Sequence, residues 1–332
     1  MRDVVRVTHP HIIMRASTSS CAPTTSSRDA KVLFPASAWR RVRARARRNV
    51  NLPEIVSDDL SNALFASKDL WNTTIHGVVL RRCASARDAT HWLQYMPMRN
   101  RAELARLMLE WAETPYCFEV VGYEAWARVK PTTTFGKTPS LVDFDGMGND
   151  LSHEMTIVRY LADELGLAGG DAFERAKCDE LFSQWWCTCR NFGLTHEGEQ
   201  YSARELRCVT EDDVRCPRYQ ETHRVNDLSV ARRSIQALRV FEEVLQANGT
   251  GHLVGDSMTF VDLALFETLF ELAEPEHAPD FAETLELPRC GEFLKRVSRM
   301  DSIAAYVASP TRVPRYERPS YAYIDARGSI PK

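Results

Sequence analysis

A tyrosine, Tyr95, ends a short apolar segment directly before an arginine-rich stretch that has the pattern of a helix. The apolar segment, "THWLQYM", predicts a strand, and Pro97 separates it from the stretch that holds Arg99, Arg101 and Arg106. A phenol with a pKa near 10 donates a hydrogen bond at neutral pH, and a helix N-terminus adds positive potential. This combination would stabilise an anion. The alternative from these residues alone is a tyrosine whose ring packs in a seam of the core.

The segments around Tyr95 predict an alternation of strands and helices over residues 89–168. One helix face follows from apolar residues at i, i+3, i+4 and i+7, which are Leu104, Leu107, Met108 and Trp111. "YCFEVVGY" predicts a second strand, and "SLVDFDGMGND" predicts two strands around an Asp-Gly turn. A further helix ends at Gly166. The order strand, helix, strand, irregular helix, strand, strand, helix indicates a thioredoxin-like domain of the βαβ-ββα type.

Helical patterns dominate residues 171–318, so we expect an all-helical second domain there. The segment "FVDLALFETLFELA" is typical of a helix that is buried on most sides. Thr259 and Asp262 have the spacing of a capping box at the start of this helix. Residues 194–226 form a longer polar segment between helices, and residues 319–332 are assigned to a C-terminal tail. The expected fold is therefore α/β plus all-α, in two domains.

The first 88 residues form a separate N-terminal extension in this prediction. Residues 1–50 hold ten arginines and one lysine against two aspartates, a net charge of +9, so the remainder carries −12 to give the overall −3. The Arg- and Ser-rich segments "MRASTSSCAPTTSSR" and "WRRVRARARR" are typical of an organellar transit peptide. A disordered tail or a misplaced gene start is an equal alternative. Nucleic-acid binding is not expected, because the acidic remainder offers no basic face.

Two compositional facts bear on the compartment. The longest uninterrupted apolar runs are far shorter than the roughly 20 residues that span a bilayer, so we expect no membrane span. The nine cysteines are odd in number and lack CxxC or zinc spacing, which favours a reducing compartment and no metal site. A cytoplasmic protein is expected, with organellar targeting through residues 1–50 left open.

Five segments in series carry a resemblance to a known family over roughly residues 90–315. They are "YMPMRNRAELARLMLE", "VKPTTTFGKTPSLVDFDG", "LSHEMTIVRYLADELGL", "LVGDSMTFVDLALFETL" and "LKRVSRMDSIAAYVASP". Their order and spacing resemble the cytosolic glutathione transferases, most of all the tyrosine-type classes that include the sigma class and the glutathione-dependent prostaglandin D synthases. The resemblance implies that glutathione is the co-substrate.

The resemblance gives Tyr95 a chemical role. Glutathione's thiol, taken as an ordinary cysteine of pKa about 8.5, is only about 3% thiolate at neutral pH, and the thiolate is the nucleophile. A hydroxyl that donates to the sulfur would lower that pKa by about one to two units. Tyr95 occupies the corresponding position at the end of the first strand of the predicted domain, and Arg101 matches an arginine that supports the site electrostatically. Arg99 and Arg106 are expected to be solvated.

The resemblance also implies residues that hold the body of glutathione. Pro139 in "GKTPSL" matches a cis-proline, and Thr138 before it would offer its backbone N–H and C=O to the cysteinyl part. Lys130 and Trp126 match positions that bind the glycyl carboxylate. Lys137 stands where the family commonly has glutamine, and a lysine can still meet a carboxylate.

The sequence departs from the family at "SHEM". Most members place glutamine or glutamate and then serine at this helix start, where the γ-glutamyl carboxylate binds, whereas this chain has His153 and Glu154. The histidine can donate a hydrogen bond, and Glu154 could face the ligand's ammonium. Its charge would repel the ligand's carboxylate unless it points away. The family's acidic ligand from the partner subunit aligns near Cys187 and is missing.

The expected function is tyrosine-assisted attack of glutathione on an apolar electrophile. The alternative is a glutathione-binding or scaffold protein of the same fold with little or no turnover. The electrophile would bind near the residues after Met96 and near the stripe of Trp185, Trp186 and Cys189, although such a stripe is more often core. We expect a homodimer in which Phe135 inserts into the other subunit.

Overall fold

The computed structural model describes residues 76–190, 225–275 and 277–313, with only the backbone given for Tyr123 and residues 225–233. The predictions for residues 1–75, for most of the polar segment at 194–226 and for the tail 319–332 lie outside the described residues. Of the described helices, none is long and apolar enough to cross a membrane. Within the same ranges, no group of three or more His, Cys, Asp or Glu side chains is arranged to hold a metal ion.

A five-stranded mixed sheet forms the first domain. Its strands are β1 His76–Arg81, β2 His91–Tyr95, β3 Tyr116–Val121, β4 Ser140–Leu141 and β5 Leu151–Ser152, in the order β1-β3-β2-β4-β5. Strands β2 and β3 are parallel, whereas β1 with β3, β2 with β4, and β4 with β5 are antiparallel. From β2 onwards this is the predicted strand and helix order, which confirms the thioredoxin-like plan.

Strand β1 corrects the expected boundary of the N-terminal extension. It pairs with β3 along its whole length, from His76 opposite Val121 to Arg81 opposite Tyr116. Val79 joins the main core, and Arg81 Nε donates to the buried Glu110 carboxylate at 2.6 Å. The sheet therefore begins at residue 76 and not at 89. The segment "HGVVLR" is short and contains a glycine, so its strand signal in the sequence is weak.

Three helices accompany the sheet in the first domain. They are α1 Glu103–Trp111, which follows a 3-10 turn at Asn100–Ala102, then α2 Tyr123–Val129 and α3 Glu154–Glu164. Two further 3-10 turns, Lys130–Thr132 and Thr134–Gly136, follow α2 and form the irregular segment that the sequence predicted.

The second domain is helical in its described part. It contains α4 Ala172–Trp185 with a π-helical turn Trp186–Arg190, α5 Val225–Asn248, α6 Phe260–Leu272, α7 Phe281–Thr284, α8 Pro288–Val297 and α9 Asp301–Val307. The capping box of Thr259 and Asp262 is confirmed at the start of α6. This helix is buried on nearly every side, as its composition indicated.

Buried charges join the two domains along α1, which packs against α6 and α9. Arg106 Nε donates to Glu103 at 3.0 Å and to the Tyr306 hydroxyl at 3.1 Å. Arg99 donates to Glu274. The expectation that Arg99 and Arg106 are solvated is therefore wrong: both are buried, because α1 has a second packing face towards the helical domain.

Candidate functional site

Tyr95 is the last residue of β2, and its side chain is only 5% exposed. Burial raises the pKa of its hydroxyl to about 12, and the negative charge of Glu154 adds to the rise. The positive charges of Arg190 and Arg101 and a hydrogen bond from the Arg101 backbone oppose it. The phenol is therefore neutral across the physiological range and remains a hydrogen-bond donor. Arg190, Glu154 and Arg101 therefore all act on this hydroxyl through their charges.

Arg101 lies in the 3-10 turn Asn100–Ala102, directly before α1. Its Nη1 is 4.0 Å from Glu154 Oε2, and its guanidinium carbon is 5.6 Å from the centre of the Trp186 ring. The side chain is 34% exposed, so it reaches solvent while contacting both domains. The structure thus places Arg101 close to Tyr95, as its predicted supporting role requires.

The Thr138-Pro139 peptide bond is cis, as the resemblance implied. The antiparallel register sets Gln94 opposite Ser140, so Pro139 comes next to Tyr95 across the two strands. The His153 N–H donates to the Pro139 carbonyl at 3.2 Å. One end of the sheet therefore brings Tyr95, Thr138, Pro139 and His153 together.

At the start of α3, the structure shows the direction of the Glu154 side chain from the "SHEM" segment. The Glu154 side chain is 1% exposed and points into the protein, where Arg190 Nε donates to its Oε1 at 2.9 Å. Burial raises the pKa of Glu154 to about 7, against the opposing charges of Arg190 and Arg101. The idea that this carboxylate faces a ligand's ammonium is corrected, because the group is enclosed. Its backbone N–H still belongs to the first helical turn, whose donors have no acceptor within the helix.

His153 holds the backbone that turns into α3. It has a positive φ of 75°, and its carbonyl accepts from the N–H groups of Thr156 and Ile157. The exposed imidazole stacks on Phe135, with ring centres 5.9 Å apart. Phe135 also has a positive φ, 61°, and its side chain is 67% exposed.

Two lysines flank the loop that leads to Thr138. The aliphatic part of Lys130 lies over Gly136, where an added Cβ would come within 3.3 Å of the Lys130 Cε. Lys137 follows directly and is exposed. Trp126 packs its half-buried ring against the small apolar cluster of Val121, Ala125 and Val129. Lys137 thus directly precedes Thr138, Lys130 lies over the same loop at Gly136, and Trp126 is on the preceding helix.

The predicted aromatic stripe divides between core and site. Trp185 and Cys189 are fully buried, and Trp185 Nε1 donates to Thr268 at 2.9 Å. Trp186 is half-buried and lies against Arg101. Of the three stripe residues expected at the electrophile site, only Trp186 is placed to border it.

Sequence reasoning missed Arg190 and Glu267. Arg190 Nη1 lies 3.5 Å from Glu267 Oε1. Three successive ion pairs thus connect Arg101 to Glu154, Glu154 to Arg190, and Arg190 to Glu267. One signal was available, since Glu267 is a carboxylate in the middle of a helix whose composition indicates burial on most sides. A buried carboxylate of this kind needs a cationic partner.

Comparisons with known proteins identify the family. A family model described as the glutathione S-transferase C-terminal domain matches residues 218–310. Glutathione S-transferase 4 of Caenorhabditis elegans is 30% identical over 218 residues, which cover 65% of this chain and 95% of that protein. Hematopoietic prostaglandin D synthase of Gallus gallus is 36% identical over 89 residues, or 27% of this chain and 43% of that protein.

The solved structure of a Nu-class transferase from Haemonchus contortus has the same fold, with a TM-score of 0.51 and 24% identity over 66% of this chain and 96% of that chain. The match to the Caenorhabditis protein spans nearly all of that protein, so it includes both domains described above. This chain therefore belongs to the glutathione S-transferase family.

Proposed function

We propose that this protein is a glutathione transferase in which Tyr95 stabilises the thiolate of bound glutathione. The observation that supports it best is a buried, neutral phenol at the end of β2, beside Arg101 and the cis Thr138-Pro139 bond. A hydroxyl that stays protonated up to a pKa of about 12 can donate to a sulfur anion over the whole working pH range.

The chemical step is a nucleophilic attack. The thiol proton leaves to solvent, Tyr95 donates a hydrogen bond to the remaining thiolate, and a sulfur lone pair forms a bond to an electrophilic carbon of the second substrate. At the same time a leaving group departs from that carbon with its bonding pair, or, in an addition to a double bond, the π pair moves to the neighbouring atom, which then takes a proton from solvent. The cations of Arg101 and Arg190 add positive potential, because both oppose the rise in the pKa of Tyr95. An apolar electrophile fits a site bordered by Met96 and Trp186.

The rest of glutathione has a polar partner at each end of the site. The backbone of Thr138 would pair with the cysteinyl unit, and the first turn of α3 at Glu154 would bind the γ-glutamyl carboxylate through backbone N–H groups. Lys130 and Lys137 would meet the glycyl carboxylate, with Trp126 holding the helix before them. His153 would act through the backbone conformation that begins α3.

We also propose a homodimer. Phe135 is a large apolar side chain that is 67% exposed at the tip of the loop before Lys137. An exposed aromatic ring of this kind can fill a pocket in a second copy and dominate an interface.

The second candidate function is a glutathione-binding or scaffold protein with little turnover. It is favoured by His153 and Glu154 at the start of α3 and by Cys187 near the position of the family's acidic ligand, the two departures noted in the sequence. Retention on immobilised glutathione, followed by a rate assay with a generic aromatic electrophile, separates the two. Binding with turnover supports the transferase, and binding without turnover supports the scaffold. Neither binding nor turnover would overturn both.

A further inference from the structure

We propose that Arg190 is a positioning residue for glutathione, because it holds the Glu154 carboxylate inside the protein and away from the ligand's own carboxylate. The inference rests on the proposed function, since it concerns how the same site accepts glutathione. Arg190 belongs to the helical domain, and Glu154 begins α3 in the sheet domain.

The geometry gives Glu154 two cationic partners of unequal strength. Arg190 Nε is 2.9 Å from Glu154 Oε1, and both side chains are no more than 3% exposed. Arg101 Nη1 is 4.0 Å from Oε2, and its side chain is 34% exposed. Because a buried pair at hydrogen-bond distance is screened far less than a partly solvated one, Arg190 contributes most of the neutralisation.

Glu154 has a reason to be neutralised in this place. It is the first residue of α3, so its backbone N–H and its side chain start from the same point. The N–H groups of that turn attract an anion, whereas an unpaired carboxylate on the same residue repels one. An inward-facing, paired Glu154 leaves the helix start positive.

Arg190 is itself fixed from a second direction. Glu267 on α6 lies 3.5 Å from its Nη1, and the Trp185 ring centre lies 5.9 Å from its guanidinium carbon. Glu271, on the same helix as Glu267, also acts on Arg190 through its charge. The guanidinium therefore keeps its place whether or not Glu154 is charged, which makes the two residues separable by mutation.

The test is a double-mutant cycle on the full-length chain, with the dissociation constant for glutathione measured by calorimetry. Arg190→Met, measured at pH 8 so that Glu154 with its raised pKa of about 7 is ionised, should raise that constant at least tenfold. The reason is that a charged Glu154 cannot stay buried without this cation and turns outward, beside the ligand's carboxylate. Glu154→Gln in the Arg190→Met background should bring the constant back to within about threefold of wild type, since the amide has the same shape and no charge. Arg159→Met is a matched control, because Arg159 is a half-exposed arginine of α3 that pairs with Asp179 at 2.6 Å and not with Glu154. It should change nothing.

Provided that the wild-type protein binds glutathione, either of two results would overturn this inference and leave the proposed function standing. One is an unchanged constant for Arg190→Met. The other is a loss that Glu154→Gln does not cancel, as expected if Arg190 only packs. If the methionine variant does not fold, Arg190→Gln replaces it, because glutamine keeps a hydrogen-bonding group without the charge. The same two results for the glutathione dissociation constant would then overturn the inference. A wild-type chain that does not bind glutathione overturns the proposed function together with this inference.

Discussion

Replacing Tyr95 with phenylalanine removes one hydroxyl from the proposed site and leaves the ring that packs in the core. The side chain is almost fully buried at the end of β2, so the smaller change is preferable to alanine, which would also leave a cavity. The charges of Arg101 and Arg190 stay in place in this variant. The substitution therefore isolates the contribution of the hydrogen bond to the sulfur.

The expected magnitude follows from the pKa of the two groups involved. Tyr95 has a pKa raised to about 12, so it is a full donor at pH 7. A charge-assisted hydrogen bond is worth about 1.5–3 kcal/mol, which corresponds to about one to two pKa units of the bound thiol. If the bond lowers the thiol pKa from about 8.5 to about 7, the thiolate fraction at pH 7 is about one half in wild type and about 3% in the variant. Turnover at pH 7 should fall roughly tenfold or more.

The assay is the pH dependence of the rate with an aromatic electrophile, together with the ultraviolet absorbance of the bound thiolate. The profile of Tyr95→Phe should shift to alkaline pH, with partial recovery above the pKa of the free thiol. The affinity for glutathione should stay nearly unchanged, because Thr138, Lys130 and the start of α3 hold the rest of the molecule. Tyr160→Phe is a control of the same type, since it removes a hydroxyl that donates to the Phe144 carbonyl.

An unchanged rate and an unchanged pH profile for Tyr95→Phe would remove this hydroxyl from catalysis. A large loss of glutathione affinity would also contradict the reasoning, because it would mean that the hydroxyl holds the peptide-like body of the ligand. In either case the search for the group that activates the thiol would move to neighbouring donors such as Ser152.

Three further predictions concern assembly and stability. Phe135→Ser should give monomers at micromolar concentration in sedimentation experiments, and an unchanged dimer would refute the role of that ring. Arg81→Met should lower the free energy of unfolding by about 2 kcal/mol. This is less than the roughly 3–5 kcal/mol for a fully isolated buried charge, because Glu110 keeps Arg82 as a second cationic partner. Urea unfolding that matches wild type would contradict it. Glu103 has a pKa lowered to about 2 by the charges of Arg312, Arg106 and Arg99, against burial. Its stabilising effect should be full above about pH 4.5 and disappear as the pH falls towards 2, so the stability difference between wild type and Glu103→Gln should shrink over that window in acid titrations.

Much of the architecture was predictable because its signals are local. The helical period of α1, the strand order from β2 to β5 and the capping box of Thr259 and Asp262 each depend on residues a few positions apart. The resemblance added the cis bond before Pro139, which backbone propensity alone would not have predicted. Tyr95 was found by its place between a strand and a helix.

The unpredicted part depends on contacts between distant segments. Arg190 and Glu154 are 36 residues apart, and no periodic pattern links a charge on one domain with a charge on the other. The same holds for Arg106 and Tyr306, which are 200 residues apart. The direction of Glu154 also depends on which side of α3 is enclosed, and that is a property of the assembled domains. Strand β1 was missed because six residues with a glycine give little signal without the edge of β3 to pair with.

The pairing of β1 has a consequence for engineering the protein. His76 lies opposite Val121, and Tyr95 lies opposite Val120, so the chain enters the sheet at the same end as the proposed catalytic hydroxyl, two strands or about 10 Å away. Arg81, at the other end of β1, contacts Ser309 and Thr311. An affinity tag or fluorescent label joined directly before His76 would therefore stand at the end of the sheet that holds the proposed glutathione site. The same label joined after Val313 would start from the opposite end of the sheet, which makes that position the better choice for assays.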